Sequence, residues 1–120
     1  MKLFAKKLTD HDVDEIIKSK LKWILEATKP DKIILFGSAA CGEMTDASDI
    51  DLILIFPDHS DLKKIAEKLF ISRPKTDLWP QDLLIETHQS YNIKVQKGGG
   101  ACYIASLEGK ILYETKNIQQ

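Results

Sequence analysis

Val13, Ile16, Ile17, Leu21, Ile24 and Leu25 recur at helical spacing, so the chain opens with an amphipathic helix whose apolar stripe faces a core. Asp10 or Asp12 can cap its start, and Lys29-Pro30-Asp31 ends it at about Thr28. The period then shortens. Lys32 to Phe36 is a β-rich run stopped by Gly37, and Ser38 can cap a short helix through Ala39, Ala40 and Cys41. A polar loop from Glu43 to Ser48 leads into a strand over 49–55, closed by Pro57-Asp58. A second helix is predicted from Ser60 or Asp61 to about Ile71, with Leu62, Ile65, Ala66, Leu69 and Phe70 on one face. Strand 81–86 comes next, then a polar stretch around Tyr91 and Lys94 and a hinge at Gly98-Gly99-Gly100. A short helix from Ala101 to Leu107, a break at Gly109 and a strand from Lys110 to Tyr113 complete the pattern, and Asn117 to Gln120 are expected to fray. Alternating helices and strands in 120 residues predict one α/β (α+β) domain.

Composition narrows the function. The chain has 17 basic and 18 acidic residues, so it lacks the broad positive footprint that nucleic acid requires, and nucleic acid is not favoured as a partner. No apolar run reaches the length of a membrane span, and Met1-Lys2-Leu3-Phe4 leads into lysines, unlike a signal-peptide core. A cytoplasmic protein is the expectation, and Cys41 and Cys102 fit free thiols in a reducing compartment. Cys41 reads as a small, part-buried filler.

The candidate chemistry lies around two of the predicted strands. Residues i and i+2 of a strand share a face, so Asp49 and Asp51 present two carboxylates together. Such a pair repels itself unless a cation intervenes, and hard oxygen ligands suit Mg²⁺ bound with a substrate's phosphates. Gly37 allows close backbone approach to a ligand, while free N–H groups at the helix start behind Ser38 favour phosphate. These parts predict metal-assisted phosphoryl or nucleotidyl transfer. The bland alternative is a strand end, a cap and two exposed aspartates.

The stretch FGSAACGEMTDASDIDLILI resembles the signature of the DNA polymerase β-type nucleotidyltransferase superfamily, and more closely its minimal nucleotidyltransferase (MNT) branch. That signature is a hydrophobic-Gly-Ser turn, ten residues, then Asp-x-Asp followed by hydrophobics. The ending CYIASLEGKILYE is also similar to MNT proteins, so the likeness covers nearly the whole chain. The resemblance implies a polymerase β-type fold, a small mixed sheet with flanking helices, and a third carboxylate on a later strand. Asp77 and Asp82 both offer one; Asp82, followed by Leu83-Leu84-Ile85-Glu86-Thr87, matches the family's strand leading into a Thr-capped helix, whereas Asp77 lies between Pro74 and Pro80.

By resemblance, Asp49, Asp51 and Asp82 would hold two Mg²⁺ ions, Asp82 would also take or orient the acceptor's proton, and Gly37 and Ser38 would bind the β and γ phosphates of ATP. Relatives often carry arginine where this chain has Cys41, and a thiol offers phosphate no fork of donors. Lys32, Lys94 and Lys97 are candidate replacements. Two functions follow. One is transfer of AMP to a tyrosine hydroxyl of a helical HEPN ribonuclease toxin, as in MNT antitoxins; it suits a short chain with little room for acceptor recognition. The other is a binding module of weakened catalysis that neutralises a HEPN partner by contact. Transfer to a small-molecule hydroxyl, such as an antibiotic's, is a third option.

Other residues invite plainer readings. His11, His59 and His88 lack metal-binding spacing and read as solvated. The triple glycine lacks the lysine-serine partner of a phosphate loop and reads as a flexible linker. Trp23 lies off its helix's apolar stripe, suggesting a rim or a partner surface, and Trp79 either walls the nucleotide pocket or packs in the core.

Overall fold

The structure, a computed structural model, describes residues 5–116; the expected fraying of 117–120 and the reading of Met1 to Phe4 lie outside the described residues. In chain order the elements are α1 (Asp10–Ala27), β1 (Lys32–Phe36), α2 (Gly37–Ala40), β2 (Ile50–Phe56), α3 (Leu62–Ser72), β3 (Gln81–Thr87), α4 (His88–Lys97), α5 (Ala101–Glu108) and β4 (Lys110–Glu114).

Thr9, and neither Asp10 nor Asp12, is the residue that caps α1. Its Oγ1 accepts from the Asp12 N–H at 3.1 Å while the Asp12 carboxylate accepts from the Thr9 N–H at 3.1 Å, a reciprocal capping box. Those hydrogen bonds hold the Asp12 carboxyl below its ordinary range. Of Ser60 and Asp61, the two starts the sequence offered for α3, Asp61 is the cap, and its carboxylate accepts from the Lys64 N–H at 3.2 Å. The polar stretch after β3 is a full helix, α4, with Thr87 as its cap and Ser90 answering it. Periodicity missed it because only Tyr91 and Val95 of this helix pack against the core. Gly98, with φ of +74°, ends α4, Gly99 follows at +80°, and Gly100 caps α5, so the triple glycine is a sharp turn between helices.

The strands form one mixed sheet in the order β3-β2-β1-β4, with β2 parallel to β3 and β1 antiparallel to both β2 and β4. Alternation splits their side chains between two apolar layers. Ile33, Leu35, Ile50, Leu52, Leu54 and Phe56 pack with Trp23 and Ile24 of α1 and Leu69 of α3. Ile34, Phe36, Ile53 and Ile55 pack on the other side with Cys102 and Ala105 of α5. A central strand buried on both faces reads as the continuous run Leu52 to Phe56.

Trp23 is only 5 % exposed, and its indole N–H donates to Ser72 Oγ at 3.0 Å, so it is a core residue and not a rim or partner surface. The buried face of α1 is Lys20, Trp23, Ile24 and Ala27. It is rotated from the sequence stripe because α3 and the chain before β3 cover the Lys20 side. Among the described residues no helix is long and apolar enough to cross a membrane.

Candidate active site

At one end of the sheet, β1 stops where β2 and β3 start. Register places Phe36, Asp51 and Asp82 in one row across three strands, with Asp51 directly beside Asp82. Both aspartates point to the side of Ile53 and Leu84, the layer covered by α4 and α5. Asp49 precedes β2 by one residue and is exposed, as is Asp82, whereas Asp51 is half-buried.

Burial pushes the Asp51 carboxyl above its ordinary value, and the negative charges of Asp82 and Asp49 push it further in the same direction. The cost of ionising Asp51 beside those two charges is relieved by a cation among them. Among the described residues no group of three or more His, Cys, Asp or Glu side chains is placed to hold a metal ion by itself. Mg²⁺ needs no such cage, since one or two carboxylates and the substrate's own phosphates satisfy it. Asp51 and Asp82, adjacent in register, therefore offer oxygen donors of the kind that a divalent metal carried in with a triphosphate takes.

Gly37 is required here twice over. Its φ is +72°, a conformation that costs any side chain, and a Cβ at this position would overlap Asp51 Oδ2 and stand 3.1 Å from Asp51 Cγ. The turn thus lies against the carboxylate it serves. Ser38 is not a cap: α2 starts from Phe36 with no side-chain capping bond. The Ser38 hydroxyl is half-buried and makes no hydrogen bond among the described residues. Because α2 is a single turn, its phosphate donors would be the unused first N–H groups and this hydroxyl, with little help from a macrodipole.

The sequence profile of the nucleotidyltransferase domain matches residues 14–98, from the first turns of α1 to the glycine that ends α4. The chain belongs to the nucleotidyltransferase domain family. A crystal structure of a candidate nucleotidyltransferase from Sulfolobus solfataricus has the same fold, with a TM-score of 0.58 over 87 % of this chain and 82 % of that one at 12 % identity. No curated protein matches the chain. Domains of this family generally use nucleoside triphosphates and divalent metals.

Within this nucleotidyltransferase the other sequence candidates separate clearly. Asp77 is buried in an ion pair, its Oδ1 accepting from Lys20 Nζ at 2.8 Å, with Arg73 Nε 3.4 Å from its Oδ2. Lys32 stands at the far end of β1 and pairs with Glu114 at 3.1 Å, and Lys94 pairs with the buried Glu86 at 2.6 Å, so neither replaces the missing arginine. That contact, a hydrogen bond to a carboxylate, raises the Lys94 ammonium above its ordinary value. Lys97 is exposed and forms no ion pair among the described residues, and it borders the same small cavity as Leu84, two residues along from Asp82.

Cys41 is exposed at the end of α2, with its thiol 3.9 Å from a Glu108 carboxylate oxygen, and is not a part-buried filler. His88 is not solvated: it is largely covered, with Nε2 2.8 Å from Asp31 Oδ2 at the end of the sheet remote from the aspartates. Trp79 packs on the core and donates its indole N–H to the Ser48 carbonyl at 3.0 Å, directly before Asp49. The residue that sequence reading missed is Lys20. Its spacing of three and four from Trp23 and Ile24 was the available signal, masked by its charge.

Proposed function

We propose that this nucleotidyltransferase moves AMP from ATP to a tyrosine hydroxyl on a helical HEPN ribonuclease and thereby acts as its antitoxin. The observation that carries the chemistry is the Asp51 and Asp82 pair in register, with Asp49 close enough to add its charge and Gly37 packed against Asp51. Asp49 and Asp51 are the residues that would hold two Mg²⁺ ions, with Asp82 completing the second position. Bound there, the ions supply charge neutralisation at the triphosphate and a more acidic attacking hydroxyl. The N–H groups of the Gly37 turn and the Ser38 hydroxyl hold the β and γ phosphates, leaving the α-phosphorus open to in-line attack. Asp82, exposed at the row's outer edge, takes or orients the proton of the tyrosine hydroxyl. The tyrosine oxygen bonds to the α-phosphorus, the bond to the β-phosphate oxygen breaks, and pyrophosphate leaves.

A protein acceptor is supported by the exposed apolar side chains of Tyr103, Ile104, Leu107 and Ile111 on α5 and β4. They lie next to Glu108, which reaches Cys41 behind the Gly37 turn. The HEPN identity of the acceptor rests on the resemblance to MNT antitoxins.

A radiolabelled ATP assay with Mg²⁺ and a HEPN partner tests this reading. Label is expected on the partner's tyrosine and absent with Asp49→Asn/Asp51→Asn, which removes ligands from a two-metal site and costs orders of magnitude in rate. No label with Mg²⁺ or Mn²⁺ would overturn it. The exposed Cys41 in place of arginine favours a second reading, neutralisation by contact alone. That reading holds if Asp49→Asn/Asp51→Asn still neutralises the partner within an intact complex.

A further inference from the structure

Lys20 is the most deeply buried charged side chain among the described residues, 1 % exposed, on the face of the sheet opposite the aspartates. Its ammonium donates to Asp77 Oδ1 at 2.8 Å, the Trp79 carbonyl at 2.7 Å and Gln81 Oε1 at 2.7 Å. Those three bonds use every donor it has. Burial lowers its pKa, and the contact with Asp77 opposes that shift. A buried ion pair of this kind adds little net stability over apolar side chains of the same volume, so its use is better sought in what it fixes.

Two of the acceptors, Asp77 and the Trp79 carbonyl, lie in the connection from α3 to β3, and the third, Gln81, is the first residue of β3. From that connection two further bonds reach the start of β2. The Trp79 indole N–H holds the Ser48 carbonyl at 3.0 Å, and the Pro80 carbonyl accepts from the Ile50 N–H at 3.0 Å. Ser48 and Ile50 flank Asp49, and Gln81 directly precedes Asp82. Arg73 also donates to the Trp79 carbonyl, at 2.8 Å, but is far more exposed than Lys20. We infer that Lys20 is a positioning residue: through Trp79 and Gln81 it clasps the α3–β3 connection to the strand starts and so fixes Asp49 relative to Asp82. This inference rests on the reading of those aspartates as the metal-holding set.

Two full-length variants test it. Lys20→Met/Asp77→Leu replaces the ion pair with apolar side chains, so that neither charge is left buried without the other. Trp79→Phe keeps an aromatic ring against the core and removes the indole bond to Ser48. In the double variant the Ile50 amide and the Trp79 indole proton are expected to exchange about tenfold faster or more, while the Leu54 amide in mid-strand is unchanged, a local opening and not a global one. Affinity for Mn²⁺·ATP, measured by calorimetry at a temperature where each protein is fully folded, is expected to fall about tenfold or more in both variants, since small misplacements of site groups are costly. A merely structural Lys20 would lower the melting temperature and leave that affinity unchanged. Unchanged exchange at Ile50 and Trp79, or faster exchange shared equally by Leu54, overturns the inference. If the wild type itself fails to bind Mn²⁺·ATP, the proposed function fails, and the exchange comparison still decides whether Lys20 is the clasp.

Discussion

Gly37→Ala adds one carbon at the tightest point of the site. The substitution incurs two separate costs. Its φ of +72° costs a side chain about 1–2 kcal/mol. The new Cβ also overlaps Asp51 Oδ2, and turning that carboxylate off its rotamer costs about 0.5–1.5 kcal/mol more. Gly42 is an internal control: its φ is +70°, yet a Cβ there meets nothing within 4 Å. Gly42→Ala should therefore lose only the backbone part. At roughly 4 °C per kcal/mol for a chain of this size, melting is expected to drop about 4–8 °C for Gly42→Ala and about 6–14 °C for Gly37→Ala. Nucleotidyl transfer should fall about 100-fold for Gly37→Ala, because the displaced group is Asp51, and stay within about twofold for Gly42→Ala. Thermal melts and single-turnover rates check both. A double-mutant cycle isolates the collision: in an Asp51→Ala background the cost of Gly37→Ala should shrink to that of Gly42→Ala. Equal costs for Gly37→Ala in both backgrounds would refute the packing of the turn against the carboxylate.

Two further outcomes follow from the same geometry. Because the folded-state pKa of Asp51 is raised above 3.8, the native protein holds a proton that the unfolded chain has released; stability is therefore lost as pH rises from 3.8 through the folded value, and the loss persists above it. In EDTA at pH 7, Asp51→Asn should be more stable than the wild type in urea melts, with the gap closing toward pH 4, while Mg²⁺·ATP at about 100 times its Kd should stabilise the wild type by about 2.7 kcal/mol and the variant far less; a less stable variant in EDTA would sink this account. Trp23→Phe removes the part-buried indole bond to Ser72, whose exposed hydroxyl water can then serve, so the lost hydrogen bond should lower stability by about 0.5–1.5 kcal/mol in denaturant melts with no change in Mn²⁺·ATP affinity; a surface role for Trp23 would leave stability intact.

The strands and most helix limits could be read from periodicity because burial imposes it. β1 has the bounds the pattern gives it, and β2 and β3 shift by no more than a residue at either end. The helix α4 escaped the pattern since it rests on the sheet through few apolar side chains, and its Thr87 cap was visible only through the family likeness. Trp23 was misread because one helix's stripe does not reveal that a second helix, α3, covers its neighbouring face. His88 was misread for a related reason: its partner Asp31 is distant in sequence.

By itself the sequence determined the Gly37-Ser38 turn and the Asp49-Ile50-Asp51 pair, since both are local: a turn needs a particular residue, and a strand sets side-chain direction by counting to two. Only the tertiary structure brought Asp82 beside Asp51 and buried Asp77 against Lys20. That choice depends on the register between β2 and β3 and on a lysine 57 residues away from Asp77 in sequence, and pairing over such separations is fixed by packing that no local pattern encodes.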